Sequence, residues 1–313
     1  MFIRLLLIAN FLFLGCLTTT LVAGEFDRSL PQFARLSPDE LQLLDDFCVA
    51  TRQLLRQYED CQLAATTLVE RSEGSELKPH GKVHQTYASR QGGSLRLEEE
   101  IAASQRPSSV NLAIVRPDEQ YLLGKDADTR KYFLRGHTKD FSQSQLEFRV
   151  RSAHAVPCKF LDSAMLDAML LTRHHLRAGL DYSIDQVELV TNELGEDIAV
   201  IACSSANPET GSRSTTRIQL LPRQLWAVSE IVHDGFTGKP ELKLSHPFVR
   251  NVVRCRYQIG SNPPELKSYV NERWGRNAKG EFVIEWRATT TVTSLNFESA
   301  SLDLFDPGRL LPD

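Results

Sequence analysis

From Cys61 onward, apolar and polar residues alternate with a period of two, and the pattern recurs in many short segments. In the first segment the residues of one face alternate with those of the other: Leu63, Ala65, Thr67 and Val69 against Gln62, Thr66 and Glu70. Such alternation is typical of half-buried antiparallel strands. Turns rich in Gly, Asn, Pro and Asp separate successive segments, as expected for hairpins. The chain is therefore predicted to form a meandering antiparallel sheet.

The predicted strands continue almost to the C-terminus. After the first, they cover 81–90, 94–101, 110–115, 120–123, 131–135, 146–151, 186–191, 197–205, 214–222, 224–235, 246–260, 265–275 and 281–292. The clearest alternation is in 249–259, where Val253 and Cys255 lie on a largely apolar face. Arg254 and Arg256 lie on the other face, which is expected to be basic and solvent-exposed. This pattern predicts a strand with one buried face.

Two helices are predicted beside the strands. Ser37 is suited to cap a helix, Pro38 to its first position, and Asp39 and Glu40 to the positive end of its dipole. Apolar residues at helical spacing then predict a helix that continues to about residue 58. A second helix is predicted at 161–180, with an apolar face that includes Met165 and Met169; its candidate caps are Asp162 and Ser163, and Gly179 is a plausible stop.

The N-terminal segment has the layout of a secretory signal. Arg4 supplies a positive charge, 5–14 is almost wholly apolar, and Val22-Ala23-Gly24 offers a small-residue cleavage site. The segment 1–24 is therefore predicted to be a signal peptide, and the protein to be exported to the periplasm or secreted. Two alternatives stay open: a lipoprotein anchored through Cys16 of Phe13-Leu14-Gly15-Cys16, and an uncleaved anchor. Membrane association is expected only if Cys16 is lipidated.

No linker divides the rest of the chain, so 25–313 is expected to be a single domain. The fold class is α+β: an antiparallel meandering sheet with an N-terminal helix and a mid-chain helix packed on it. Five cysteines follow the signal, namely Cys48, Cys61, Cys158, Cys203 and Cys255. Because the number is odd, at least one thiol is expected to be free, and buried free thiols are expected for most of them. The sequence leaves any pairing among them open.

Motifs that carry chemistry are missing from the sequence. There is no G-x-S-x-G, no H-E-x-x-H, no phosphate loop and no dinucleotide fingerprint, so no catalytic residue, metal ligand or cofactor is predicted. The net charge of −4 suggests no nucleic-acid partner. The acidic run Glu98 to Glu100 is interpreted as a solvated strand edge. Trp226, Trp274 and Trp286 fall on predicted strands, where core packing is the default and a ligand groove the alternative.

The order of elements resembles one family. A cleaved signal, an N-terminal helix, a run of antiparallel strands, a mid-chain helix and more strands look like the half-barrel of the outer-membrane lipoprotein carrier LolA and its relatives. The ending at 296–312, "NFESASLDLFDPGRLLP", also resembles the closing segment of secreted bacterial proteins of that type. The resemblance covers most of the chain after the signal. It implies a concave apolar sheet face, covered by helices, that holds acyl chains or lipoproteins.

The function expected from this resemblance is non-catalytic binding of an apolar ligand, a lipid or a lipidated protein partner. The candidate ligand-binding residues are Met165, Met169, Trp226 and Trp286. Two alternatives stay open. One is a protein-interaction or sensor module of the same fold, and the other is an exported hydrolase whose site is assembled from scattered residues.

Overall fold

The structure is a computed structural model of the chain. It describes residues 35–58, 60–74, 76–91, 94–103, 106–117, 119–139, 181–192, 195–237, 247–258, 260–277 and 280–311. The predicted signal at 1–24, the predicted strand at 146–151 and the predicted helix at 161–180 lie outside these residues. Met165 and Met169 therefore lie outside them as well.

The N-terminal helix α1 spans Pro38–Gln57, as predicted. Ser37 and Glu40 form a reciprocal cap: Glu40 N donates to Ser37 Oγ at 3.3 Å, and Ser37 N donates to Glu40 Oε2 at 2.8 Å. This arrangement satisfies two backbone groups that the first turn of a helix leaves without partners. The local sequence alone is thus sufficient to start the helix at Pro38.

Thirteen strands form one antiparallel sheet in the described part of the chain. They are β1 (Cys61–Glu73), β2 (Glu76–Arg90), β3 (Ser94–Ala103), β4 (Arg106–Val115), β5 (Glu119–Lys125), β6 (Tyr132–Lys139), β7 (Asp181–Thr191), β8 (Asp197–Ala206), β9 (Arg213–Leu221), β10 (Ala227–Phe236), β11 (Val249–Tyr257), β12 (Leu266–Arg276) and β13 (Phe282–Asn296). The spatial order is β6-β5-β4-β3-β2-β1-β13-β12-β11-β10-β9-β8-β7. Consecutive strands pair from β1 to β6 and from β7 to β13, whereas β6 and β7 lie at opposite edges. Strand β1 also pairs with β13, so the first and last strands lie side by side in the middle of the sheet.

Several predicted strand boundaries differ from the observed ones by three to five residues, and one of these differences moves a tryptophan off its predicted strand. The strand expected from residue 224 begins at Ala227, because Pro222–Gln224 form a short 3-10 turn. Leu225 and Trp226 follow with positive φ angles of 51° and 58°. Trp226 therefore lies just before β10 and not on a strand.

The two faces of the sheet are buried by different elements. The inner face, which carries Leu63 of β1, Tyr87 of β2 and Cys255 of β11, contacts α1. It holds a central cluster (Leu54, Tyr58, Cys61, Leu63, Ala65, Tyr87, Leu97, Val115, Ala227, Cys255, Leu266 and Tyr269). It also holds an α1 cluster (Leu44, Phe47, Ile184, Val187, Ala199, Ile201, Cys203, Ile218, Leu220, Trp226 and Val228).

The outer face is covered near β2–β5 by the C-terminal segment, residues 297–311. Phe305 and Ala300 pack there with Ala88, Leu112, Ile114 and Leu123, and these residues form the C-terminal cluster. Three arginines hold the segment by its carbonyl oxygens: Arg90 Nη1 donates to Ala300 at 2.8 Å, Arg96 Nη1 to Leu304 at 3.2 Å and Arg116 Nε to Phe305 at 3.0 Å. The C-terminal segment is thus an integral part of the fold.

Arg254 and Arg256 are exposed on the outer face of β11, as expected, but this face also contains a buried residue and a network of ion pairs. Val252 lies on it and is buried. Arg254 is also engaged: its Nε donates to Glu230 Oε1 at 2.8 Å and its Nη1 to Glu272 Oε2 at 3.3 Å. Arg287 Nε donates to the second oxygen of the buried Glu272 at 2.8 Å. Because a buried carboxylate needs charged partners, these arginines are part of the packing of this face.

The cysteines that the structure describes support the expectation of free thiols. Cys61, Cys203 and Cys255 are buried and have the thiol form, not the disulfide form. Burial raises the pKa of the Cys61 thiol to about 11, so this thiol stays protonated at neutral pH. The side chain of Cys48 and the whole of Cys158 lie outside the described residues.

Candidate functional site

Helix α1 is fixed on the inner face of the sheet at both of its ends. At its start, Glu40 Oε1 accepts a hydrogen bond from Val187 N of β7 at 3.1 Å. Phe47 lies against Trp226, with ring centroids 6.1 Å apart. Just beyond its end, the hydroxyl of Tyr58 donates to the carbonyl oxygen of Pro264 at 2.7 Å, and Ser89 Oγ donates to the carbonyl oxygen of Tyr58 at 3.0 Å.

Beyond the central cluster, the inner face continues as an apolar strip made of Val69, Val83 and Ile101. Val83 and Ile101 are cross-strand partners of β2 and β3, and Val69 lies on β1 two residues after Thr67, the partner of Val83. All three side chains are half-buried. None of them belongs to the central, α1 or C-terminal cluster. The strip is therefore apolar surface that these clusters leave unused.

A row of polar side chains borders the apolar strip on the same face. Thr67 Oγ1 and Thr290 Oγ1 lie 2.7 Å apart, and both residues are buried. Gln85 Nε2 donates to Glu99 Oε1 at 2.6 Å. Burial raises the pKa of Glu99 to about 7, against the smaller opposing effect of the Gln85 hydrogen bond. This carboxyl group can therefore be neutral or charged near neutral pH.

The interpretation of Glu98 to Glu100 as a solvated edge is wrong. Strand β3 lies between β2 and β4. Glu99 points to the inner face together with Leu97, while Glu98 pairs with Arg96 at 2.9 Å and accepts from the hydroxyl of Tyr132 at 2.6 Å. Glu99 alternates along β3 with the apolar residues Leu95, Leu97 and Ile101. This period of two is the sequence signal that places its side chain on the inner face.

The polar row continues across β4 and β5. Asn111 is the cross-strand partner of Glu99, and its Oδ1 accepts from Arg135 Nη1 at 2.6 Å. Gly124 is the next partner along the row, and a Cβ there would overlap the side chains of Arg135 and Phe133. Because Gly124 has no side chain, there is room for the Arg135 guanidinium on the inner face.

Of the four candidate ligand-binding residues, the structure describes Trp226 and Trp286. Trp226 is 8% exposed and lies in the α1 cluster. Trp286 is half-buried on β13, between its cross-strand partners Arg71 of β1 and Arg273 of β12. Met165 and Met169 lie outside the described residues. A ligand role for these four side chains stays a prediction, and the apolar strip and its polar row were missed by the sequence analysis.

In the ranges that the structure describes, no group of three or more His, Cys, Asp and Glu side chains is arranged to hold a metal ion. None of the helices within those same ranges is long and apolar enough to cross a membrane.

Similarity between this chain and known proteins was found in structure and not in sequence. No protein-family model matches it, and no curated protein sequence does either. A DUF1329 family protein from Desulfovibrio piger has a similar structure, with a TM-score of 0.42 and 10% sequence identity, over 86% of this chain and 98% of that one. A structure described as an outer membrane lipoprotein-sorting protein domain, from Vibrio parahaemolyticus, has a TM-score of 0.40 and 7% identity, over 85% of this chain and 99% of that one.

A third similar structure is a beta-barrel-like protein with a DUF1849 domain from Brucella abortus. It has a TM-score of 0.21 and 6% identity, over 76% of this chain and 97% of that one. At these identities and TM-scores, no role of this chain follows from the likenesses.

Proposed function

We propose that the protein is a non-catalytic, exported envelope protein that binds an apolar ligand on the inner face of its sheet. The ligand would be a lipid or the acyl chain of a lipidated partner. The observation that carries the proposal is the apolar strip, Val69, Val83 and Ile101, which is half-buried and belongs to none of the three clusters. Covering such a surface is favourable by roughly 25 cal/mol for each Å² of apolar area removed from water.

The polar row supports an elongated ligand that has a polar end. Gln85 and Glu99 lie beside the strip, so a chain lying on Val83 and Ile101 would reach them with its head. A protonated Glu99 donates a hydrogen bond and an ionised one accepts only. The site would therefore hold the ligand differently on the two sides of the Glu99 pKa.

The predicted helix at 161–180 is the proposed cover of the ligand. Met165 and Met169 lie one turn apart on its predicted apolar face. Methionine is flexible and polarizable, which suits a surface that meets acyl chains of different length. In this proposal, the aspartate substitutions Met165→Asp and Met169→Asp weaken ligand binding.

Export follows from the predicted signal at 1–24. Cleavage after Gly24 would give a soluble form that begins at Glu25, whereas lipidation at Cys16 would give an anchored form. The intact mass of the exported protein distinguishes these two forms.

The test is a titration of the delipidated protein with a fluorescent fatty acid, using two variants of adjacent residues. Val69→Ser removes an apolar side chain from the strip. Leu68→Ser is the matched control, because Leu68 is 41% exposed and points to the outer face of the same strand. We expect saturable binding to the wild type, about five-fold or more weaker binding to Val69→Ser, and unchanged binding to Leu68→Ser.

Circular dichroism of each protein establishes that it is folded before it is titrated. A folded wild type with no saturable binding would contradict the proposal and favour the protein-interaction module. Equal weakening by both variants would show that the bound chain does not lie on the inner face.

A further inference from the structure

A group of larger side chains follows the apolar strip along β1 and β13. Val69 of the strip pairs with Ala288. Two residues further along each strand, Arg71 pairs with Trp286, so both side chains lie on the inner face as well. Trp286 also pairs with Arg273 of β12. Arg71, Trp286 and Arg273 form the basic end of the strip, and the proposed function makes no use of them.

The register of the three strands brings these side chains together. Directly opposed residues of antiparallel strands point to the same face, so the two arginines flank the indole ring of Trp286 from either side. Neighbouring strands lie about 4.8 Å apart, which places the Cα atoms of Arg71 and Arg273 about 10 Å from each other. All three residues are half-buried. The basic end is therefore a single surface that is partly open to solvent.

Arg71 supplies the charge that the acids around this end leave uncompensated. Two acids lie close to the basic end in the strands, and each has a cation of its own. Glu73 pairs with Lys78 at 3.0 Å, and Glu285 Oε2 lies 2.9 Å from Arg273 Nε. Among the described residues, no carboxylate forms an ion pair with Arg71. One guanidinium group is thus left for an anion.

Trp286 adds a neutral donor and an apolar surface beside this charge. The indole N–H can only donate, and in the described part of the chain it donates to no acceptor. The ring lies one row beyond Val69 and Ala288 and so extends the apolar strip towards the arginines. A chain lying on the strip would meet the ring first and the Arg71 guanidinium next.

We propose that the basic end binds the carboxylate of a fatty acid whose chain lies on the apolar strip. The inference rests on the proposed function and names the chemical class of its ligand. The guanidinium of Arg71 is a planar fork that donates to both oxygens of a carboxylate. One uncompensated positive charge also matches the single charge of that head. The chain then runs from Trp286 over Val69 towards Ile101.

The two ends of the strip suit different heads. Gln85 and Glu99 suit the head of an uncharged lipid, because an ionised Glu99 repels a carboxylate whereas Arg71 attracts it. A ligand with an anionic head therefore lies on the strip in the opposite direction, with its head away from Glu99.

The experiment compares a fluorescent fatty acid with its methyl ester, each titrated into folded, delipidated protein. The ester keeps the chain and loses the charge. Arg71→Gln removes the guanidinium, and Arg256→Gln is the matched control because Arg256 is exposed on the outer face of β11. We expect the wild type and Arg256→Gln to bind the acid about ten-fold or more tightly than the ester, and Arg71→Gln to lose this difference. Arg71→Lys keeps the charge without the fork and should retain part of the difference.

The outcomes separate this inference from the proposed function. Equal binding of acid and ester to the wild type overturns the inference alone, whereas no binding of either ligand contradicts both. Equal losses in Arg71→Gln and Arg256→Gln would show a general effect of charge and would also overturn it. Displacement of the fatty acid by a lower concentration of lysophosphatidic acid, lost in Arg71→Gln, would assign the basic end to a phosphate and not to a carboxylate.

Discussion

Burial of the Glu99 carboxyl makes the stability of the protein depend on pH. Its pKa is raised to about 7 in the folded state, from 4.5 for an unburied carboxyl. The folded state thus binds this proton more tightly than the unfolded state, so the free energy of unfolding falls as pH rises from about 4.5 to about 7. Above that range the group adds no further slope. The loss amounts to about 3 kcal/mol for such a shift.

The substitution Glu99→Gln tests this effect by urea unfolding at pH 5 and pH 8. The variant keeps a polar side chain but cannot ionise, so we expect it to be more stable than the wild type at pH 8 and similar to it at pH 5. Glu100→Gln, on the outer face of the same strand, changes the net charge equally and serves as the control. If Glu99→Gln and the wild type lose stability in parallel between the two pH values, another group causes the slope.

Single residues also show what the sequence could and could not predict. The inner position of Glu99 follows from the period of two in β3, and the acidic run obscured it because three successive acids suggest solvent. The positive φ of Trp226 could not be predicted, since it depends on the turn that Pro222–Gln224 make between β9 and β10. Arg254 has the expected orientation, but its bonds to Glu230 and Glu272 depend on strand pairing that no local pattern specifies.

The contribution of the C-terminal segment to the stability of the protein can be measured. Phe305 is 2% exposed and belongs to the C-terminal cluster with Leu112, Ile114 and Leu123. Phe305→Ala removes a buried ring and leaves a cavity on the outer face, which costs about 3–5 kcal/mol in other proteins. We expect a loss of this size in the free energy of unfolding, measured in urea.

Leu302 provides the control within the same short helical turn, which spans Leu302–Phe305. Its side chain is 63% exposed, so Leu302→Ala should change the free energy of unfolding by about 0.5 kcal/mol or less. A small effect of both substitutions would mean that the C-terminal segment does not bury the outer face in solution.

At the scale of elements, local signals were sufficient where the structure describes the chain. The four residues Ser37 to Glu40 predicted the start of α1, and alternation predicted the strands. The closing segment could be recognised only by resemblance, because it has no periodic pattern. Its contact with the sheet depends on Arg90, Arg96 and Arg116, which bind backbone carbonyls far away in the sequence.

The arrangement of the whole sheet is the part that the sequence left open. Alternation predicts that successive strands pair, and they do so within β1–β6 and within β7–β13. It does not predict that β1 pairs with β13, which makes β6 and β7 the edges of the described sheet. That pairing joins residues about 220 apart in the chain, as in Val69 beside Ala288, and so depends on long-range contacts. The same pairing forms the continuous inner face on which the apolar strip lies.

The central claim, that an apolar ligand binds on the inner face, is tested most directly by photocrosslinking. The folded, delipidated protein is loaded with a fatty acid that carries a diazirine on its chain, irradiated, digested and analysed by mass spectrometry. The account predicts crosslinks at the apolar strip, Val69, Val83 and Ile101, that an excess of unlabelled fatty acid competes away. Crosslinks confined to outer-face residues such as Leu68, or crosslinks that competitor does not reduce, would contradict it.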